Sequence, residues 1–157
     1  MASRSSTADT TLQIKKTIAA SREKVFQAWT DPKALTRWFA PSDEFSTPLV
    51  EVDVRVGGKY RIQMKAPDGG LHTVGGVYRE VKPPEKLVFT WVWEPGPSCG
   101  QPGHEAPGYE TLVTVELYER GNSTEVVLTH EGFMDSMERD KHNQGWTGCL
   151  NRLPKGL

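Results

Sequence analysis

The sequence predicts an α+β protein with one curved antiparallel sheet of about six to seven strands and a long C-terminal helix. Strand patterns follow one another through short turns, two short helical segments come after the first strand, and the only long helical pattern lies at the C-terminal end. Successive strands with segregated helices are typical of an antiparallel α+β sheet. The C-terminal helix is the element long enough to cover the apolar face of that sheet.

The first strand and the two short helices come early in the chain. Leu12 and Ile14 alternate with polar residues and predict a strand. Ser21 is a good N-cap for a first helix, and Asp31 followed by Pro32 is suited to start a second one. Neither helix is long enough to be stable alone in water. The broken helix pair is therefore predicted to plug one end of the curved sheet.

Six further segments alternate apolar and polar residues at strand spacing. In order they are "PLVEVDVRV", "KYRIQMK", "LHTVGGVYREV", "LVFTWVW", "YETLVTVELYE" and "STEVVLTHEGF". One face of the first segment carries Val50, Val52, Val54 and Val56. Gly57-Gly58 is suited to the positive φ of a tight hairpin, and Gly75-Gly76 predicts a bulge or a bend where the sheet curves.

The C-terminal segment "DSMERDKHNQGWTGCLNRL" predicts a helix with one apolar side. That side carries Met137, His142, Trp146, Cys149, Leu150 and Leu153. Asp135 or Ser136 is placed to cap its start. Residues 94–108 are rich in proline and glycine and predict an irregular loop.

Size and composition predict one soluble domain. The chain has 157 residues, of which 36% are hydrophobic and 25% charged, with a formal net charge of -1. A single domain over residues 11–157 is expected after a disordered lead-in of residues 1–10. The charge balance argues against a general nucleic-acid binder, and no apolar run approaches the length that spans a bilayer. The N-terminus lacks the apolar region of a secretory signal, so a cytoplasmic location with reduced Cys99 and Cys149 is expected.

Several stretches resemble one known family. "AASREKVFQAWTDPKALTRWFAP", "VRVGGKYRIQM", "GVYREVKPPEKLVFTWVW", "VELYERGNSTEVVLTHEGF" and "HNQGWTGCLNRL" are similar to stand-alone bacterial members of the family named after the activator of the ninety-kilodalton heat-shock protein's ATPase. That family belongs to the START-like, birch-pollen-allergen-like (SRPBCC) superfamily. The resemblance implies the helix-grip fold, in which a curved antiparallel sheet wraps a long C-terminal helix and leaves a cavity between them. It does not imply one activity, since the superfamily includes lipid carriers, cyclases, hydrolases, hormone receptors and co-chaperone domains.

Inward positions of the predicted strands and of the C-terminal helix are expected to line this cavity. They are Val54, Tyr60, Ile62, Met64, Phe89, Trp91, Trp93, Val115, Leu117, Val126, Leu128, Trp146 and Leu150. Such a lining suits a hydrophobic ligand that a few polar groups hold in place. Close packing into a solid core is the competing interpretation for any one of these residues. The aromatic residues concentrated on one face of the 87–93 strand favour a pocket.

His130 and Arg79 are the polar candidates for the same cavity. His130 continues the alternation of Val126 and Leu128, so its ring is predicted to point to the apolar side, where it could orient or protonate a ligand oxygen. A hydrogen bond to the start of the last helix is the alternative role for His130. Arg79 could pair with an anionic ligand group if it faces inward. It lies on the outer face if the glycine bulge shifts the strand register.

The other polar residues predict neither a catalytic nor a metal site. His142 is expected at the boundary with solvent, and His72 beside a turn in an exposed position. Cys99, His104 and Glu105 share one loop but match no common zinc spacing. No metal or other cofactor is therefore expected.

The leading hypothesis is a non-enzymatic protein that binds a hydrophobic small molecule, lipid-like, aromatic or polyketide-like, with the 94–108 loop as a lid. An enzyme of the cyclase, dehydratase or hydrolase type, with His130 as acid or base, is a second hypothesis. A co-chaperone-like interaction module with a chaperone ATPase as partner is a third. Exposed edge strands offer a route to a homodimer.

Overall fold

A computed structural model of the protein describes residues 10–94 and 109–157. Its elements in chain order are β1 (Thr11–Ile18), α1 (Arg22–Thr30), α2 (Pro32–Trp38), β2 (Ser46–Val52), β3 (Lys59–Lys65), β4 (Leu71–Lys82), β5 (Lys86–Trp93), β6 (Glu110–Arg120), β7 (Ser123–Glu131), α3 (Ser136–Arg152) and a final 3-10 turn (Leu153–Gly156). The strands form one antiparallel sheet in the order β1-β7-β6-β5-β4-β3-β2. The predicted α+β class, the strand count and the long C-terminal helix are confirmed.

The two short helices form a closed bend because a buried tryptophan links them. The Ser21 side chain accepts a hydrogen bond from the Lys24 N–H and caps α1. Pro32 opens α2, whereas the Asp31 side chain makes no capping hydrogen bond. Trp38 is fully buried at the end of α2, and its indole N–H donates to the Ala28 carbonyl oxygen of α1 at 2.8 Å. One straight helix could not place these two groups together.

The core lies between one face of the sheet and the three helices. From α3 it takes Trp146, Cys149 and Leu150. The prediction that Met137 belongs to this side of the helix is wrong, since its side chain is 64% exposed. Met137 lies in the first turn of α3, and the buried stretch of the helix begins only at Trp146.

Strand β2 ends earlier than its valine alternation predicts. The strand stops at Val52, and the Asp53 N–H then donates to the Lys59 carbonyl oxygen at 3.0 Å across a wide turn. Val56 is exposed in that turn, while Val54 is partly buried against the core. Gly57 has a φ of 86°, so the positive φ predicted for this hairpin is present.

The bulge of β4 lies at Arg79 and not at the glycine pair. Tyr78 pairs with Phe89 and Glu80 with Val88, so Arg79 is the extra residue of the strand. Tyr78 is therefore buried, and Arg79 lies on the outer face beside the Glu110 carboxylate at 3.8 Å. This placement corrects the inward position considered for Arg79.

Gly76 has a different role in β4. A Cβ at position 76 would overlap the Thr90 carbonyl oxygen of the neighbouring strand, so a residue without a side chain is needed there.

Helix α3 approaches the segment after α2 at Gly148. A Cβ at position 148 would overlap the Pro41 carbonyl oxygen. The Arg152 guanidinium lies close by and donates to the carbonyl oxygens of Arg37 and Trp38, and it also pairs with the Asp43 carboxylate. These contacts hold residues 39–45 against the helix.

Membrane crossing by a helix is not indicated for the described ranges. None of the helices within residues 10–94 and 109–157 combines the length and the apolar character that a bilayer span requires.

The two interior glycines of α3 provide a matched test of this packing. Gly148→Ala should lower the free energy of unfolding by about 1–3 kcal/mol, because its methyl group meets the Pro41 carbonyl. Gly145→Ala should raise it by up to about 1 kcal/mol, since a Cβ there has no heavy atom within 4 Å and alanine favours the helix. Urea unfolding of both variants measures the difference. Equal stability of the two variants would contradict the close approach at Gly148.

Candidate ligand-binding site

A cavity of about 570 Å³ lies between the sheet, residues 39–45 and helix α3. Three strands, β3, β4 and β5, form its floor, and α3 covers one side. The described residues that line it are Phe39, Pro41, Ser42, Phe45, Met64, His72, Trp91, Trp93, Lys141, His142, Gln144, Gly145, Trp146 and Cys149. Gln144 is exposed and Lys141 partly exposed, so they lie at the rim.

Seven of the fourteen described lining residues carry aromatic or imidazole rings. The Trp91 ring lies at the centre, 5.0 Å from Trp146 and 5.5 Å from Trp93 between ring centroids. Phe39 meets Trp146 edge to face at 5.7 Å. Such pairs are stabilised beyond their buried area by about 0.5–1.5 kcal/mol each. The wall is therefore a mutually packed cluster of rings and not a set of independent side chains.

His130 lies behind this wall and holds Trp146. The Trp146 indole N–H donates to His130 Nδ1 at 3.0 Å. Because Nδ1 accepts, the proton of the neutral ring is on Nε2, which donates to Thr111 Oγ1 at 2.6 Å. The His130 side chain is completely buried, and burial together with nearby His142 sets its pKa well below the usual histidine value.

His142 makes a second bond of the same kind. The Trp93 indole N–H donates to His142 Nε2 at 2.9 Å, and His142 Nδ1 donates to the Glu138 carbonyl oxygen at 2.8 Å. Burial is the main reason that the pKa of His142 is lowered, and the Lys141 charge acts in the same direction. His142 is therefore a neutral residue of the cavity wall with both ring nitrogens engaged.

The remaining polar lining differs in its chemistry. His72 is buried beside Phe45, with 6.4 Å between their rings, and burial lowers its pKa. Lys141 lies 4.0 Å from the Glu138 carboxylate. Burial raises the pKa of the Cys149 thiol to about 12, so the sulfur is protonated at neutral pH and is not an activated nucleophile.

The structure separates the predicted lining residues into two groups. Those that line the cavity are Met64, Trp91, Trp93 and Trp146. Those that pack in the solid core are Tyr60, Ile62, Phe89, Val115, Leu117, Val126, Leu128 and Leu150. Val54 packs against the edge of the core, Arg79 lies outside, and His130 is sealed behind Trp146.

The core group is filled because helices α1 and α2 reach that end of the sheet. Trp29 and Leu35 line, together with Tyr60 and Phe89, a gap of only about 20 Å³. The Tyr60 hydroxyl is engaged as well, since it donates to the Thr90 carbonyl oxygen at 2.5 Å.

Several lining residues escaped the sequence prediction. His72 was expected to be exposed, but it pairs directly with Met64 across the β3–β4 hairpin and therefore shares its face. Counting the pairs outward from the turn would have found it. Phe39 and Phe45 belong to the irregular segment after α2, where no strand alternation marks them, whereas Gly145 is marked only by being a glycine inside a helix.

Some predictions concern residues outside the described ranges. The lead-in of residues 1–9, the loop of residues 95–108, and Cys99, His104 and Glu105 are among these. Within residues 10–94 and 109–157, no cluster of three or more His, Cys, Asp or Glu side chains is placed to hold a metal ion.

Comparison with known proteins relates both fold and sequence to one family. The family model described as Activator of Hsp90 ATPase homolog 1-like protein matches residues 19–157. A solved protein from Chromobacterium violaceum is 26% identical with a TM-score of 0.76, over 92% of this chain and 94% of that one. An AHSA1-like protein from Aeromonas hydrophila is 25% identical with a TM-score of 0.69, over 92% and 91%. The AHSA1 protein from Silicibacter pomeroyi, 24% identical over 92% and 94% with a TM-score of 0.76, shares the fold. Comparison with curated proteins gives no match.

The neutral histidines predict a loss of stability in mild acid. All three described histidines have a lowered pKa, so the unfolded chain takes up protons near pH 6.5 that the folded chain does not yet bind. The contribution of these neutral histidines to the free energy of unfolding is complete above that pH. It is lost as the pH falls toward their pKa values in the folded protein. Each histidine contributes a slope of up to about 1.4 kcal/mol per pH unit.

The control for this prediction is His142→Gln. Glutamine keeps an acceptor for the Trp93 indole but does not titrate. Urea unfolding between about pH 7.5 and about pH 5.5, above the range where carboxylates dominate, should give a shallower slope for this variant than for the natural protein. A natural protein whose stability is flat over that range would refute the neutral-histidine assignment.

Proposed function

Because the chain belongs to the family described as Activator of Hsp90 ATPase homolog 1-like protein, part of the SRPBCC superfamily, we propose that it binds a hydrophobic small molecule between its sheet and helix α3. The observation that carries the proposal is the aromatic cavity of about 570 Å³. Ligand pockets of proteins commonly measure about 300–1,000 Å³ and combine apolar walls with a few polar groups. The volume and the lining both fall within that description.

The polar groups around the cavity favour binding over catalysis. A general acid or base must reach the ligand with a free proton or a free lone pair. His130 is completely buried and uses both ring nitrogens in bonds to Trp146 and Thr111. The Cys149 thiol is protonated at neutral pH. These side chains therefore support a protein that holds a molecule without transforming it.

Gly145 gives direct experimental access to the cavity. It lies on α3 one turn after Lys141 and lines the cavity, yet a Cβ built there has no heavy atom within 4 Å. A large side chain at this position would extend into the cavity without displacing backbone. The position allows the ligand space to be filled while the rest of the core stays in place.

Replacement of Gly145 by phenylalanine should weaken the binding of a neutral hydrophobic probe. N-phenyl-1-naphthylamine, whose fluorescence rises in apolar surroundings, should bind the natural protein, and Gly145→Phe should weaken that binding about tenfold or more. Fluorescence titration measures both affinities. The probe occupies the space that the phenyl ring takes.

Gly145→Ala is the matched control, and it should keep the probe affinity within about twofold while stabilising the helix. Urea unfolding of Gly145→Phe verifies that the variant is folded. If the natural protein binds neither this probe nor a panel of fatty acids and aromatic compounds, the proposed function is wrong. Equal probe binding by Gly145→Phe would place the ligand elsewhere and also contradict it.

A further inference from the structure

We propose that the cavity takes a flat aromatic molecule that carries a carboxylate, with its ring system against the indoles and its carboxylate at Lys141. The inference rests on the proposed function and deepens it by naming the class of ligand. Two independent observations support it: the mutual orientation of the wall rings, and the charge of the residues at the rim.

The wall rings favour a planar partner. Trp91 and Trp93 meet at an interplanar angle of 89°, and the Trp93 side chain is partly exposed. A flat ring that stacks on one member of such a pair presents its edge to the other. Stacked and edge-to-face arrangements are the two that aromatic pairs prefer, so a planar ligand gains both contacts at once. A saturated ring or an alkyl chain gains only buried area.

The aliphatic part of the lining is small by comparison. Met64 on β3 is a flexible, polarisable side chain that contacts ring edges well. Pro41 forms part of the wall beside α3. A lipid-like chain would instead be expected to find walls built mainly of branched aliphatic residues.

The charge of the lining has one sign. Lys141 is the only described lining residue with a full charge at neutral pH, and none of the described lining residues is Asp or Glu. The histidines of the wall, His72 and His142, have lowered pKa values and are neutral under the same conditions. Among the described lining residues, an anionic group therefore finds one partner of opposite charge, Lys141, and a cationic group finds none.

Lys141 is positioned to use that charge on a bound molecule. Lys141, Gly145 and Cys149 succeed one another at intervals of four residues along the face of α3 that lines the cavity. The absence of a side chain at Gly145 leaves open space directly beside the lysine stem. An acid lying in this space would end next to the ammonium group.

The existing partner of Lys141 is not in direct contact with it. The Glu138 carboxylate lies 4.0 Å from the ammonium nitrogen, and the side chains of Lys141 and Glu138 are 36% and 19% exposed. This separation is longer than a hydrogen bond. A ligand carboxylate that accepts a hydrogen bond from the ammonium at about 2.8 Å interacts with the lysine more strongly than Glu138 does at its present distance.

Three related compounds test charge and planarity separately. 2-Naphthoate is flat and anionic, 2-naphthamide is flat and neutral, and decahydro-2-naphthoate is anionic but not flat. Titration calorimetry at neutral pH should give 2-naphthoate the highest affinity, about fivefold above each of the others. Lys141→Met should reduce the affinity for 2-naphthoate to about that for the amide. Lys65→Met, on the outer face beside Met64, removes the same charge and should change nothing.

The outcomes separate this inference from the proposed function. Equal affinities of 2-naphthoate and 2-naphthamide, or a preference that persists in Lys141→Met, would overturn the role of the charge while the cavity still binds. Equal affinities of 2-naphthoate and its saturated analogue would overturn the planarity argument. If none of the three compounds and not even N-phenyl-1-naphthylamine binds, the proposed function itself fails.

Discussion

Two hydrogen bonds from indoles to neutral imidazoles determine where helix α3 sits on the sheet. Trp146 of α3 donates to His130 of β7, and Trp93 of β5 donates to His142 of α3, so each layer supplies one donor and one acceptor. A protonated imidazole cannot accept such a bond. Both histidines must therefore remain uncharged, and burial enforces this by lowering their pKa values. Because the two donors are also walls of the cavity, the bonds that dock the helix orient the binding surface as well.

The interior between helix α3 and the sheet is filled by side chains at one end and open at the other. At Gly148 helix α3 comes so close to Pro41 that no side chain fits, and Arg152 holds the carbonyl oxygens at the end of α2. Helices α1 and α2 pack on the part of the sheet that carries Tyr60 and Phe89. This part of the interior is solid core. Beside the N-terminal part of α3, no further helix within residues 10–94 and 109–157 covers the sheet, and the cavity remains there. The position of α1 and α2 at one end of the sheet thus accounts for both the filled end and the hollow end.

Local sequence patterns predicted the elements well and the cavity only in part. Strand alternation identified seven strands, and caps and prolines identified the two short helices, because these signals depend on neighbouring residues alone. The bulge at Arg79 could not be located from the sequence, because the glycine pair offered an equally suitable place for an extra residue. Only the pairing of β4 with β5 shows which residue is the extra one. The alternation of β7 correctly predicted that the His130 ring points to the apolar side. Its hydrogen-bond partner Trp146 is 16 residues away on another element. The sequence alone therefore could not show whether His130 contacts a ligand or makes a structural hydrogen bond. A cavity wall whose residues come from several separate elements gives no periodic pattern in the sequence.

The two glycines of α3 show why local inconsistency points to function in this fold. Glycine inside a helix costs about 1 kcal/mol relative to alanine. At Gly148 the cost is offset by a contact that no other residue permits. At Gly145 no such contact exists, and the position lines the cavity beside Lys141. A residue that weakens its own helix without improving the packing is explained by the space it keeps open. Positions where a sequence departs from local preference without a structural gain are expected at functional sites, and Gly145 is such a position in the wall of the proposed binding site.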